Sequence, residues 1–290
     1  MPTSGLRVGI AHPRGRCSLK KIYISGNGVK PGCAQLVGRI CEFLKDRAEV
    51  VGTCLEKNNQ LPPIDIDLIL SLGGDGTFLN MVDRVLSRDL PIMGVNYGHL
   101  GFLTAGLAKD VECLLEAYLL GKTQVYQRMV LSLELENASG VQNRYALNDV
   151  LVSAGDLTHV ASLKVKVSDE PLFHFRGDGL IISTPTGSTA HSLSAGGSLV
   201  DPQVEALLIT PLSPQSLSSR PIIVRPNVIV EVVPEGCPGE VIYDGQRLGI
   251  VKPGDRVRVS RSPKAIKMVQ LANFRFLHRL ADKLGWSESF

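Results

Sequence analysis

A strong net charge is one of the features that this sequence of 290 residues lacks. Its 31 lysine and arginine residues nearly balance its 28 aspartate and glutamate residues, which leaves a formal charge of +3. We therefore expect no nucleic-acid partner, whereas a slight positive excess suits an anionic small molecule. The 44% of apolar and 20% of charged residues are typical of one or two folded domains and exclude a disordered chain.

A segment suited to a bilayer or to secretion is also missing. The longest stretch without a charged side chain, Gly179–Val200, contains eight serine or threonine residues, four glycines and Pro185. Hydrocarbon would not tolerate so many polar groups, so we expect no contact with a membrane. Met1–Gly5 shows no basic segment that leads into an apolar one, and we expect no signal peptide.

Spacings typical of metal ligands or disulfides are absent as well. The six histidines form no H-E-x-x-H or similar pattern, so we expect no metal site made by protein ligands alone. The cysteines form no C-x-x-C pair and several lie in apolar runs, which indicates reduced thiols in a cytoplasmic protein. They are Cys17, Cys33, Cys41, Cys54, Cys113 and Cys237.

The first 120 residues alternate between short apolar runs and helical periodicity. Apolar side chains recur at helical spacing from Ala34 to Leu44 and again from Phe78 to Leu86. Strands that alternate with helices predict a parallel sheet with the helices as crossover connections. The strand-like runs are Leu6–Ala11, Val50–Cys54, Leu68–Leu72 and Ile92–Val95.

From residue 123 onward the pattern changes to the alternation of period two that half-buried strands show. Leu131–Glu136 and Leu163–Val167 are the clearest examples, and shorter runs follow at 228–233, 241–243 and 257–259. We therefore predict an α/β domain over residues 1–120 and a mostly β, dinucleotide-binding domain over 121–271. A helical tail within 272–290 is expected to pack back on the first domain.

The segment SLGGDGT, residues 71–77, is the first that suggests chemistry. It follows an apolar strand and opens a helix, and open α/β sheets bind ligands at the carboxyl ends of their strands. Glycines and free N–H groups at a helix start suit a phosphate, but Asp75 would repel one unless it accepts a hydroxyl proton or holds a magnesium ion. A tight turn capped by Asp75 or Thr77 is the plainer interpretation. The candidate loop for a phosphate donor comprises Gly73, Gly74, Gly76 and Thr77.

A second unusual segment, residues 176–197, combines many hydroxyl groups with glycines and carries almost no charge. Its hydroxyls could line a polar ligand with neutral hydrogen bonds, although a Ser/Thr-rich surface loop is the plainer alternative. The apolar residues Leu180, Ile182 and Leu193 indicate that the segment is buried. Buried hydroxyls need hydrogen-bond partners, so we expect them to be satisfied inside the protein or by a ligand.

Taken together, these motifs resemble the NAD kinase family. The resemblance rests on GGDGT at 73–77, NYGHLGF at 96–102, Asn148-Asp149, and above all DGLIISTPTGSTAHSLSAGG at 178–197. It continues through residues 210–221 and 243–246, in the expected order over nearly the whole chain. GGDGT alone is shared with lipid kinases and phosphofructokinase-like enzymes, whereas the long 178–197 motif is highly specific.

The resemblance implies an α/β domain and a β domain with the dinucleotide between them, in an enzyme that phosphorylates NAD to NADP. Asp75 would accept the proton of the adenosine ribose 2′-hydroxyl, and Asp178 would reach a substrate base, often across a subunit interface in this family. We expect a homodimer or homotetramer that uses ATP or polyphosphate with Mg²⁺ or another divalent cation. The other expected substrate contacts are Gly76, Phe102, Asn148, Asp149, His159, Arg176, Thr186, Thr189, Ala190, His191, Ser192, Leu193, Ser194 and Gln246.

Two positions depart from the family pattern. Asp149 stands where Glu is usual, and His191 stands where Tyr is usual, changes that bear on substrate preference more than on the reaction. The same residues also allow two other functions. A lipid-type kinase would share GGDGT but would want a basic amphipathic helix or a lipidation motif, and neither is evident. A non-catalytic dinucleotide-binding regulator would gain nothing from the charge of Asp75.

Overall fold

The structure is a computed structural model that describes residues 19–56, 61–155 and 159–286. The predicted strand Leu6–Ala11 lies outside these residues. The first described strand, Lys21–Gly26, was not predicted, although all but its first residue are buried. No helix in the described part of the chain is long and apolar enough to cross a membrane.

Strands and helices alternate in the first half, as predicted. The helical spacing from Phe78 to Leu86 is divided between two short helices that are separated by Asn80 and Met81. The elements are β1 (Lys21–Gly26), α1 (Cys33–Leu44), β2 (Glu49–Cys54), β3 (Leu68–Leu72), α2 (Asp75–Leu79), α3 (Val82–Arg88), β4 (Pro91–Asn96), β5 (Thr104–Leu107) and α4 (Val111–Leu119).

The second half is mostly β, also as predicted, and ends in a helix. Single turns of 3₁₀ helix cover Ala108–Asp110 and Thr186–Thr189. The other elements are β6 (Thr123–Asn137), β7 (Gly140–Ala146), β8 (Asp149–Ser153), β9 (Ala161–Val167), β10 (Glu170–Gly177), β11 (Gly179–Ser183), α5 (His191–Ser194), β12 (Leu207–Leu212), β13 (Ile222–Val224), β14 (Ile229–Glu235), β15 (Gly239–Tyr243), β16 (Gln246–Val251), β17 (Arg256–Leu271) and α6 (Phe276–Leu284).

The strands of the first half form the predicted parallel sheet, in the order β2-β1-β3-β4-β5. Every residue of β3 is buried, because helices cover both faces of such a sheet. The sheet does not stop at the end of the first half. Lys267 and Met268 of β17 pair in parallel with Pro91 and Ile92 of β4. An 11-stranded sheet therefore runs through both halves of the molecule.

A second, six-stranded sheet has the order β13-β12-β11-β8-β15-β16 and is antiparallel throughout. It packs against the antiparallel part of the larger sheet through a core that includes Leu133, Val152, Ile182 and Val259. Two further cores lie on the parallel part of the larger sheet. One of these contains Phe78, Leu103 and Leu147, so it joins segments from both halves.

The C-terminal helix packs on the first half, as expected from the sequence. Arg279 of α6 donates hydrogen bonds to the carbonyl oxygens of Gly101, at 3.2 Å, and Thr104. Leu280 is buried beside it. The tail therefore covers the segment that leads from β4 to β5.

Candidate active site

The glycine-rich turn between β3 and α2 has a backbone that only glycine allows at its first position. Gly73 has a φ of +156°, and a Cβ atom there would lie 2.1 Å from Oγ1 of Thr77. The N–H of Gly73 donates to the carbonyl oxygen of Val95 on β4. Gly76 is exposed with open space around it, so ligands can reach the turn. The structure thus places the candidate donor loop at the carboxyl end of the parallel sheet.

Asp75, in the middle of this turn, is held by the loop that follows β4. Its Oδ2 accepts the backbone N–H of Phe102 at 2.9 Å, and its Oδ1 accepts that of Leu103 at 3.1 Å. A Cβ atom at Gly101 would lie 2.0 Å from Oδ1 of Asp75, so the carboxylate occupies the space that a side chain would need. Each carboxylate oxygen has two lone pairs, so one on each oxygen remains for a ligand.

The loop that holds Asp75 is braced by its own polar groups. The side-chain amide of Asn96 donates to the carbonyl oxygen of His99 at 2.6 Å. The N–H of Gly101 donates to the hydroxyl of Thr104 at 3.0 Å. These bonds fix the NYGHLGF segment in one shape, and the carboxylate is held as firmly as the loop is.

Asn148 and Asp149 lie where β8 begins, and another carboxylate organises their backbone. Asp244, with a φ of +46° in the turn between β15 and β16, accepts the N–H groups of Leu147 and Asn148 at 2.7 Å each. It also accepts the N–H of Asp149 at 3.2 Å. Sequence analysis did not place Asp244 at the site, although the Asp-Gly pair between two short strands is a recognised hairpin signal.

Asp149 and Asp244 both hold their protons more tightly than ordinary carboxyl groups. Burial raises the pKa of Asp149 to about 6, against the opposing effect of a hydrogen bond from the backbone N–H of His191. The pKa of Asp244 is raised to about 7. Burial is the main cause and the nearby charge of Asp149 adds to it, while hydrogen bonds from three backbone N–H groups act in the opposite direction. The two carboxyl groups therefore resist being charged together.

Four hydroxyls of the second motif are bonded inside the protein, as predicted for buried hydroxyls, but the buried hydroxyl of Ser183 has no partner within the described residues. Thr184 donates to the carbonyl oxygen of Leu147 at 2.6 Å and accepts the N–H of Gly187 at 3.0 Å. Ser188 donates to the carbonyl oxygen of Pro185, and Ser192 bonds the hydroxyl of Thr210.

These bonds decide which groups of the segment remain for a ligand. Ser192 is fully buried, so its side chain holds the loop together, whereas His191 and Ser194 are exposed. Thr186 is buried, and Ala190 and Leu193 are half-buried. Thr189 is half-buried too, and its hydroxyl donates to the carbonyl oxygen of Thr186 at 3.1 Å.

The sequence-predicted site residues divide into two groups at opposite ends of β8 and β11. Asp149 pairs with Ser183 at one end of this ladder, and Ser153 pairs with Gly179 at the other, about 13 Å away along the strand. Asn148, the 186–194 segment and Gln246, which faces Tyr243 across a turn, lie at the first end. Arg176 and Asp178 lie at the second end, and so does His159, in the loop after β8; all three are exposed.

The first group adjoins the Asp75 turn through the core that joins the two halves. The side chains of Phe78, Leu103 and Leu147 belong to one hydrophobic cluster. Phe78 is three residues after Asp75, and the backbone N–H of Leu103 donates to the Asp75 carboxylate. Leu147 directly precedes Asn148. Among residues 19–56, 61–155 and 159–286, no three His, Cys, Asp or Glu side chains are grouped as metal ligands. The resulting site offers an oriented carboxylate, a glycine turn and a wall of backbone and hydroxyl groups.

Two family models match this chain, one in each half. The N-terminal domain of ATP-NAD kinase matches residues 27–123, and the C-terminal domain matches residues 147–271. An NAD kinase from Geotalea daltonii is 35% identical over 283 residues, which are 93% of this chain and 100% of that relative. An NAD kinase from Symbiobacterium thermophilum is 40% identical over 224 residues, 76% of this chain and 79% of that relative.

Solved structures agree with the sequence comparisons. An NAD kinase from Archaeoglobus fulgidus, in complex with ATP, is 26% identical with a TM-score of 0.72, covering 91% of this chain and 98% of that chain. A yeast NADH kinase complexed with NADH shares the fold, with a TM-score of 0.83 at 24% identity, covering 95% of this chain and 90% of that chain. The resemblance seen in the motifs is confirmed, and this chain belongs to the NAD kinase family.

Proposed function

We propose that Asp75 accepts the proton of the adenosine ribose 2′-hydroxyl while this NAD kinase transfers a phosphoryl group from ATP to NAD. Membership of the family supports the reaction, and the hydrogen bonds of Asp75 support its role. Two backbone N–H groups fix the carboxylate and leave one lone pair on each oxygen free. A general base must lie within hydrogen-bond reach of the proton that it removes, and these two hydrogen bonds hold the Asp75 carboxylate in a fixed orientation.

The proposed transfer is a direct displacement at the terminal phosphorus of ATP. The 2′-oxygen forms a bond to phosphorus, the bond from phosphorus to the bridging oxygen breaks, and ADP leaves. The hydroxyl proton passes to Asp75. In this proposal the donor phosphates approach the glycine turn, where they meet the backbone of Gly73, Gly74 and Gly76 and the side chain of Thr77.

Mg²⁺ or another divalent cation fits this site as a companion of the donor. The described residues offer no group of three ligands, and Mg²⁺ commonly keeps waters and phosphate oxygens around it with few protein ligands. When bound, the cation neutralises charge that develops on the phosphate oxygens. Polyphosphate, the other donor considered from the sequence, can be compared with ATP in the same assay.

NAD binding is proposed along the edge where the glycine turn meets β8. Asn148, Asp149 and the exposed His191 face the adenosine end in this proposal, with Phe102 beside Asp75. The free thiols of the five described cysteines support a cytoplasmic location.

The Asp75→Asn variant tests the base. Asparagine has nearly the same shape, so the fold and NAD binding should persist, whereas kcat should fall by about 10²–10⁴-fold. Binding of NAD is measured by calorimetry and NADP formation by a coupled assay. Asp110→Asn, at an exposed carboxylate before α4, is the matched control and should keep its activity. Near-normal turnover by Asp75→Asn would refute the role.

We also propose that the chain forms a homodimer or homotetramer and that Arg176, Asp178 and His159 serve the site of a neighbouring copy. The position of these three residues supports the proposal. They lie at the Ser153 end of β8, about 13 Å along the strand from Asp149, and therefore away from Asp75 of the same chain.

Mixed oligomers test this sharing. Co-expression of Asp75→Asn with Asp178→Ala would place an intact Asp75 and an intact Asp178 at some sites, so activity should exceed that of either variant alone. Asp75→Asn co-expressed with Asp75→Ala is the control and should stay inactive. A mixture with no gain, or an active monomer in light scattering, would contradict the proposal.

A further inference from the structure

We propose that Arg279, in the C-terminal helix α6, is a positioning residue for Asp75. In this proposal, which rests on the proposed role of Asp75, the guanidinium fixes the backbone segment whose N–H groups hold the carboxylate. In this proposal Arg279 acts through the backbone of residues 101–104 and not by contact with substrate or donor. It belongs to the tail of the chain, far in sequence from the glycine turn and from the motifs that carry the family resemblance.

The hydrogen bonds form a continuous path from the tail to the carboxylate. The Nη1 group of Arg279 donates to the carbonyl oxygens of Gly101 and Thr104. The two residues between them, Phe102 and Leu103, donate their N–H groups to Asp75. The side chain of Arg279 thus bonds both ends of the segment 101–104, and the two residues in the middle of that segment bond the carboxylate of Asp75.

The surroundings of Arg279 fix the guanidinium in this position. Its Cζ lies 4.8 Å from the centre of the Phe274 ring, a cation–π contact that orients the planar group. Burial lowers the pKa of Arg279, and the negative charges of Asp75 and Asp282 oppose that shift. An arginine remains charged in such a site, so it keeps donating to the two carbonyl oxygens.

Packing alone does not require an arginine here. Leu280, the next residue of α6, is buried and anchors the helix through apolar contact. Partial burial of a guanidinium is unfavourable unless its donors find acceptors, and the acceptors that Arg279 finds are carbonyl oxygens of the active-site loop. Without these bonds the 101–104 segment is freer to move, and a displacement of about 1 Å at a reacting group can lower a rate by about 10²-fold.

The variant Arg279→Met tests the inference, because methionine keeps an apolar stem and loses every donor. We expect kcat to fall by about 10- to 100-fold while KM for NAD changes by less than about 2-fold, since ground-state binding is left in place. Arg279→Lys retains the charge and can reach one carbonyl oxygen, so its kcat should lie between that of the unaltered chain and that of Arg279→Met. Arg275→Met is the matched control: Arg275 is exposed directly before α6, and within the described residues its side chain bonds only the carbonyl oxygen of Phe274.

A double-mutant cycle separates positioning from a general effect on the fold. If Arg279 acts through Asp75, adding Arg279→Met to Asp75→Asn should change the residual kcat by less than about 2-fold. An equal loss in both backgrounds, or an unchanged kcat in Arg279→Met alone, would overturn the inference. If Arg279→Met does not fold in a thermal melt, Arg279→Lys takes its place in the same cycle. Full activity of Asp75→Asn would instead refute the role of Asp75, a distinct result.

Discussion

Asp75 and the Asp149–Asp244 pair are both held by backbone N–H groups, yet the two regions use their carboxylates differently. Asp75 stands alone at a glycine turn and receives two N–H groups from another loop. Asp149 is buried and the neighbouring Asp244 is half-buried, and Asp244 receives three N–H groups at the start of β8. In the proposed function the first arrangement orients a charge toward a ligand, whereas the hydrogen bonds of Asp244 tie the turn between β15 and β16 to the start of β8.

The difference lies in neighbours more than in the number of hydrogen bonds. Burial raises the pKa of both Asp149 and Asp244, and the charge of Asp149 also contributes to the raised pKa of Asp244. The candidate site therefore combines Asp75, the proposed proton acceptor, with two carboxyl groups whose pKa values burial raises to about 6 and about 7. Four substitutions in these two regions can break or sharpen the comparison.

The largest effect is expected at Gly101. A methyl group there would lie 2.0 Å from Oδ1 of Asp75, at the movable end of a side chain, so Gly101→Ala should displace the carboxylate. We expect kcat to fall by about 10²-fold with a small change in stability. A thermal melt and an NADP assay on the same samples measure both quantities.

Gly187→Ala is the matched comparison, because its methyl group would lie 2.0 Å from the carbonyl oxygen of Asn148, which is backbone. Backbone cannot rotate away, so this variant should lose about 1–3 kcal/mol or more of unfolding free energy. If Gly101→Ala lost stability and kept its activity, the proposed need for the Asp75 carboxylate to stay in its position against residues 101–103 would be wrong.

A pH-dependent effect is expected for Asp149→Asn. The pKa of Asp149 is about 6 in the folded chain, above its ordinary value of 3.8, so the folded state binds the proton more tightly than the unfolded state. Its stabilising contribution is present below pH 4 and is lost as the pH rises through 6. Relative to the unaltered chain, Asp149→Asn should therefore gain up to about 3 kcal/mol over that window.

Urea unfolding at several pH values measures this gain as a difference between the two proteins. Asp110→Asn, at an exposed position, is the control and is measured over the same pH range. A difference for Asp149→Asn that does not change with pH would mean that the folded state does not favour the protonated form of Asp149.

The smallest effect is expected for His191→Tyr, at the exposed start of α5. A larger ring offers more stacking area to a base, and such contacts contribute about 0.5–1.5 kcal/mol. KM for NAD should fall by about 2- to 10-fold while kcat stays the same. His174→Tyr, exposed on β10, is the control; an identical KM in all three proteins would remove His191 from the substrate site.

The elements that sequence predicted best are those whose pattern is local. Leu68–Leu72 was predicted with its exact bounds because a nearly continuous apolar run, interrupted only by Ser71, needs cover on both faces. The GGDGT turn was predicted because three glycines and one carboxylate have few structural uses together. The period-two runs at Leu131–Glu136 and Leu163–Val167 identified strands of the β half in the same way.

Features that depend on distant partners could not be predicted. The long strands β6 and β17 were visible only in part, since a register shift between Arg261 and Ala265 interrupts the alternation. Asp244 gained its place at the site through N–H groups almost 100 residues away. Arg279 lies 178 residues from Gly101 along the chain, and no local pattern pairs an exposed-looking helix arginine with two carbonyl oxygens.

The strand β17 has a consequence for how the molecule unfolds. It pairs with β6 and β14 of the second half and with β4 of the first, so one backbone segment belongs to both. The two halves, which the family models match separately, therefore share the strand β17. Unfolding of either half would expose a strand edge of the other half. Hydrogen exchange should therefore show amides of β4 and β17 opening together, in a single cooperative unit that spans the site.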